Sequence, residues 1–350
     1  GIVKQADVMR LRRHILERFY TDAPKHARLT IPGADGKLVT MHLERNDNLI
    51  RELQVKVRTE NDLYPYPYRE SFHYWGKVVG QDTSLVSVSV FDNHMAVMYS
   101  TPGHDYQLGP AYNEHANDDY IHYDGHDLLV STEGHACKLP DHAAEGLIPN
   151  HMHTRRTTQS CKTVRIYLEA GVSLYTDFSS STTAVVDFSL TMYNLVALMY
   201  EVHNIPHTVS EIVVNTADPN TIDGAVSTCP CPPGKSAIGN ALENFRNQLS
   251  AAGSFNGDLA HYITSTSNYS GGIAGVNTLC SFPNNSGINA SMSKNYQPIP
   301  SFSNNINILA HEIGHNHGDP HTQECGFWGS PARRFDDCWP DEGSGDCSGR

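Results

Sequence analysis

Apolar and polar positions change rhythm along this chain. Up to about residue 130 the apolar residues recur every second position in short runs. Leu38-Val39-Thr40-Met41-His42-Leu43-Glu44 and Leu85-Val86-Ser87-Val88-Ser89-Val90-Phe91 show this most clearly. Alternation of period two predicts strands with one face buried, so residues 1–156 read as a β-rich region ending in a linker. From Cys161 onward the rhythm alternates between strand and helix. Lys162–Glu169 and Glu211–Asn215 read as buried strands, and Asp258–Ser265 and Gly272–Leu279 as further ones. Ser181–His203 carries Val185, Phe188, Met192, Val196 and Met199 at three- and four-residue spacing, and Ser236–Ala252 carries Ile238, Leu242, Phe245 and Leu249 likewise. Those are two helices with buried faces. Strands alternating with helices predict an α/β (α+β) layer with a mixed, largely parallel sheet over residues 157–350.

One segment of this second region carries chemistry. Residues 311–321 read His-Glu-Ile-Gly-His-Asn-His-Gly-Asp-Pro-His. Ile306, Leu309 and Ile313 predict a helix here, with Ser303-Asn304-Asn305 as N-cap candidates. On such a helix His311 and His315 are four apart and project from one face. Gly318 can take a positive φ, end the helix and bring His321 round as a third imidazole. Three protein ligands leave a tetrahedral position open, the pattern of a catalytic zinc rather than a structural one. Glu312 stands beside them as the base for a zinc-bound water. Peptide-bond hydrolysis is the chemistry expected. His317, between two ligands in sequence, is expected to pack away from the metal.

Composition changes the picture only in part. The chain has 350 residues, 25 basic and 38 acidic, for a formal charge of −13. That balance argues against nucleic acid or an anionic membrane as a partner, while the peptide hydrolysis expected of the motif makes protein or peptide substrates the partners. No run reads as a membrane span. Eight cysteines, with sequons at Asn268, Asn284 and Asn289, point to a secreted protein or an ectodomain.

The long motif with three histidines and a glycine is the metzincin pattern. With Gly314, Asn316 and the stretch Gly271-Gly272-Ile273-Ala274-Gly275-Val276-Asn277-Thr278-Leu279-Cys280, it most resembles the adamalysin (reprolysin, ADAM-like) zinc proteases. The resemblance covers roughly residues 161–325 well and the N-terminal half more loosely. It implies a metzincin-type catalytic domain with a long zinc-binding helix behind a β-rich prodomain, hence a latent proenzyme. It further implies that Ile273, Ala274, Gly275, Val276, Asn277 and Thr278 form the edge strand that holds substrate. Cys137 would be a cysteine switch whose thiolate occupies the fourth zinc position, against an ordinary structural cysteine as the alternative. Arg155-Arg156 would be a processing site, against a solvated pair in a loop. Ca²⁺ is compatible with the resemblance but has no ligands assigned in this sequence.

The chain departs from the family's pattern at three places. Thr322 stands where Asp usually follows the third histidine, and Lys138 follows Cys137 where glycine is usual. No methionine follows His321, so the methionine turn is expected beyond Arg350. With Cys137 set aside seven cysteines remain, and one is expected to pair outside this stretch. The competing reading is a catalytically inactive metzincin-fold interaction protein. Glu312, whose replacement would be the simplest route to inactivity, argues against it.

Overall fold

The alternating N-terminal runs build one antiparallel sheet. In the computed structural model, which describes residues 3–33, 36–111, 118–129, 163–228, 236–265, 271–290, 303–319 and 321, the chain opens with β1 (Asp7–Arg10), α1 (Arg13–Asp22), β2 (His26–Pro32) and β3 (Leu38–Arg45). Next come β4 (Gln54–Arg58), β5 (Leu63–Pro65), β6 (Phe72–Val78), β7 (Leu85–Val90), β8 (Met95–Thr101), β9 (His104–Pro110) and β10 (Asp119–Asp124), closed by a 3₁₀ turn. Eight of these strands form a sheet in the order β1-β10-β9-β8-β7-β6-β3-β2. Neighbours in that sheet are mostly neighbours in sequence, as hairpins require. Met41, Leu43, Val86, Val88 and Val97 fill its buried face, with Tyr74 among them.

The second half alternates strand and helix. It runs through β11 (Val164–Ala170), α2 (Val172–Asp177), α3 (Thr182–Glu201), β12 (His207–Asn215), α4 (Ile222–Thr228) and α5 (Ala237–Ala252). It continues with β13 (Leu259–Ile263), β14 (Gly271–Ala274), β15 (Ser286–Ala290) and α6 (Ser303–His317). Ser181 caps α3 by accepting from the Ala184 amide, and Ser236 caps α5 by accepting from the Gly239 amide. The Cβ-less Gly253, at φ 77°, ends α5.

The resulting sheet is mixed and mostly parallel, in the order β14-β15-β13-β11-β12-β4-β5. Chain order and sheet membership part company here. β4 and β5 come from the N-terminal half, yet β4 pairs parallel with β12 from Gln54↔Glu211 to Arg58↔Asn215. β5 then folds back antiparallel on β4.

Helix α3 lies between the two sheets, which accounts for its composition. It is long and apolar enough to cross a membrane by length and composition, with 72% of that window buried inside the protein. A helix apolar around most of its girth is one covered on more than one side. Its apolar side packs on Ile166, Leu168 and Val209 of the second sheet and on Ile306, Leu309 and Ile313 of α6, in one core. Its polar stripe, Thr183, Asp187 and Asn194, faces the other way. There it meets Tyr66, Tyr68, Arg69 and Trp75 of the N-terminal half.

Candidate metal centre

Helix α6 is held by its apolar face. Ile306, Leu309 and Ile313 are almost wholly buried, and that anchorage fixes the rotation of the helix. His311 and His315 therefore share the opposite side, with ring centroids 4.5 Å apart. Gly318 ends the helix at φ 113°. Its amide donates to the Gly314 and His315 carbonyls, and the Asp319 amide donates to Gly314. This left-handed turn, unfavourable for a residue with a Cβ, carries His321 back over the helix. The His321 ring lies 5.2 Å from His311 and 4.8 Å from His315.

One ligating atom from each imidazole falls within a 4.8 Å group, and the Nε2 atoms of His311 and His321 are 3.2 Å apart. Tetrahedral zinc with Zn–N bonds of about 2.1 Å sets its nitrogen ligands roughly 3.4 Å apart, so these residues fit the ion. His315 Nδ1 donates to the Asp319 carbonyl at 2.5 Å, which puts the lone pair of that ring on Nε2. Burial, reinforced by the neighbouring imidazoles, pushes His311 down to about 4 and His315 to about 3. Both are therefore neutral at physiological pH, the protonation state a metal requires.

Glu312 is fully buried. Its side chain lies against β14. A Cβ built on Gly272 would stand 2.5 Å from Glu312 Cγ and 2.7 Å from Oε1. Of the stretch read as the substrate edge strand, Ile273 and Ala274 lie in β14, which ends the sheet. Gly275, Val276, Asn277 and Thr278 leave it and cap α6. The amides of Asn277 and Thr278 donate to the His315 and Asn316 carbonyls, and Asn316 Nδ2 donates to the Gly275 carbonyl at 3.1 Å. His317 packs on the far side of α6, beside Tyr200 and His207, with its Nε2 3.3 Å from His207 Nε2.

Two of the remaining candidates lie among the described residues. Asn284 is exposed in the loop before β15, and Asn289 stands within β15. Cys137, Arg155, Arg156 and Asn268 lie outside the described residues.

A second group escaped the sequence reading. His104, Asp124 and His126 bring ligating atoms within 4.8 Å of one another on the N-terminal sheet. The two imidazoles take different oxygens of Asp124, at 2.5 and 2.9 Å. Burial raises the Asp124 carboxyl, but hydrogen bonds from His126 and His104 outweigh it and leave it below its ordinary value. The Asp-x-His spacing at the end of β10 was the visible signal. His104 arrives from a neighbouring strand, which local spacing does not reveal.

Among curated proteins none matches this chain. Among solved structures, metalloproteinase-II from Bacteroides fragilis matches at 13% identity over 85% of this chain and 82% of its own, with a TM-score of 0.46. The model of metallo-peptidase family M12 (Reprolysin_5) matches residues 160–349. That span holds α6, the three histidines and strands β11 to β15 beside them, and the chain therefore belongs to the M12 metallopeptidases, zinc-dependent peptidases.

Proposed function

We propose that this chain is an endopeptidase, secreted or displayed at the cell surface and made as a latent proenzyme, that cleaves extended segments of extracellular proteins. The observation that carries this reading is the convergence of three imidazoles on one side of α6, with the carboxylate of Glu312 beside them. His311, His315 and His321 would hold one Zn²⁺, which supplies Lewis acidity toward a carbonyl and lowers the pKa of water when bound. Glu312 takes the proton of the attacking water and returns it to the leaving amine. Burial against Gly272 keeps that carboxylate in one position, so little reorganisation accompanies the transfer.

Substrate would lie along β14. A terminal strand offers backbone groups to an extended peptide without demanding a particular sequence. Ile273 and Ala274 are the residues suited to that pairing, while Gly275–Thr278 shape the end of α6. Latency would rest on Cys137 and its release on a cut after Arg156.

The test is cleavage of a mixed peptide library by the secreted protein, with and without a zinc chelator, beside Glu312→Ala. Chelator-sensitive cleavage, restored by zinc and absent from a zinc-loaded Glu312→Ala protein, is the expected result. Cleavage that survives in Glu312→Ala would remove Glu312 from the mechanism. Silence from zinc-loaded protein already cut after Arg156 would favour a binding protein on the same fold.

A further inference from the structure

We propose that the N-terminal half is a permanent subunit of the peptidase. After the linker is cut, the first half stays bound non-covalently through β4 and β5, and the product is a two-chain molecule. Only the natural occurrence of the cut rests on the proenzyme reading; the retention itself is argued from the contacts.

Strand β12 would be an edge strand of the peptidase sheet without β4. With β4 in place, β12 is paired on both sides, by β11 and by β4. The pairing brings two cations onto two carboxylates of the second half. Lys56 Nζ lies 2.9 Å from Glu211, whose side chain is 4% exposed. Arg58 Nε lies 3.2 Å from Glu169, whose side chain is 0% exposed. Glu169 is further held by Gln248 Nε2 at 2.8 Å, by Asn215 Nδ2 at 3.0 Å and by the Tyr167 hydroxyl. All three of those groups are neutral, so Arg58 is the charge that balances it. Removing the first half would take the cations from two carboxylates that are buried and ion-paired in the full chain, giving up both pairs. It would also bare a row of backbone groups along β12.

The contact continues beyond the ribbon. Thr208 Oγ1 donates to the Asn48 carbonyl, and the Val209 amide donates to Leu49. Thr183, Asp187 and Asn194 of α3 take Tyr66 at 2.9 Å, Tyr68 at 2.6 Å, Arg69 at 2.7 Å and the Trp75 indole at 2.8 Å. Leu49, Val55, Ala96 and Met98 share one apolar core with Ile166, Val209 and α3.

Position in the sheet makes retention compatible with catalysis. β4 and β5 sit at one end of the strand order and β14 at the other. Among the described residues, the strands that the first half adds to this sheet lie at the edge opposite β14.

The experiment replaces Arg155-Arg156 by the recognition site of a sequence-specific protease and cuts the folded full chain at neutral pH. It does not depend on natural processing or on peptidase activity, so failure of the proenzyme reading leaves its outcome intact. The two fragments should elute as one species of the intact mass, and β12 amides should keep their hydrogen-exchange protection after the cut. Combining Lys56→Gln with Arg58→Gln should weaken the association of the cut fragments at least tenfold. Separation of the fragments would overturn the proposal. So would co-elution with loss of β12 protection, because the halves would then be joined elsewhere.

Discussion

The two sheets bury different kinds of polar group. Inside the N-terminal sheet the buried polar side chains are neutral: Ser71, His73, Ser84, Ser87, Ser89, Gln107 and His122. The peptidase half buries neutral polar groups too, but adds carboxylates, Glu169, Asp187, Glu211, Asp223 and Glu312. Three of these, Glu169, Asp187 and Glu211, find their cations in Arg58, Arg69 and Lys56 of the other half. A buried carboxylate is costly unless paired. The half that carries the candidate chemistry thus depends for its balance of charge on the half that does not.

The sharpest contrast is between the two histidine groups. His321→Ala should lose bound zinc and reduce peptidase activity to background, because a two-imidazole site forfeits a ligand and gains a second open position. His104→Ala, in the N-terminal cluster, should leave activity unchanged. Metal content and turnover measured on both variants decide it. An active His321→Ala enzyme would mean that the third ligand lies elsewhere in the chain.

Next in size is the loss of a charge partner. Arg58→Ala should destabilise the protein by about 3–5 kcal/mol, since Glu169 stays buried without its cation. Arg13→Ala breaks an ion pair with Asp118 at 2.6 Å, but both side chains are partly in solvent. That substitution should cost under about 1 kcal/mol. Denaturant unfolding of the two variants gives the comparison directly. Equal losses would show that the cross-sheet pairs carry no special weight.

Gly272→Ala probes β14 against α6. A methyl at 2.5 Å from Glu312 Cγ must push the carboxylate aside, and a displacement approaching 1 Å can cost about 10²-fold in rate. Zinc content should be unchanged, because the atoms nearest that methyl belong to Glu312 and not to an imidazole. Loss of both metal and activity would instead indicate a wider collapse of the sheet edge.

How much of this was legible follows from how local each feature is. His311, Glu312, His315, Gly318 and His321 sit within one helix and one turn, so spacing alone places them. The strands around Leu38–Glu44 and Leu85–Phe91, and the helices capped by Ser181 and Ser236, carry their period on their surface. Strand β15 was missed because Ser286-Gly287-Ile288-Asn289-Ala290 holds one large apolar residue and no alternation. Gly275–Thr278 read as strand because the partner that turns them, the Asn316 amide, lies about forty residues away. β4 has ordinary alternation, but nothing in Gln54–Arg58 announces that its neighbour is β12. Glu169 and Glu211 read as unremarkable strand residues, since their cations are more than a hundred positions distant.

Buried histidines give the smallest effect and touch both sheets equally. His73, between Ser71 and Ser89 in the first half, is pushed down to about 3 by burial. His207, in the second, is pushed down to about 3 by burial and then by His317. In the unfolded chain each titrates near 6.5. Between pH 6.5 and 3 the unfolded state therefore binds more protons, and stability falls as pH falls. At pH 5 each histidine accounts for about 2 kcal/mol of loss relative to pH 7. His73→Gln, which cannot take up a proton, should flatten the dependence of the urea midpoint on pH over this range by one histidine's share. A slope unchanged in that variant would mean that His73 becomes protonated in place. The N-terminal sheet would then hold a buried charge after all, and the contrast between the two halves would fail on that point.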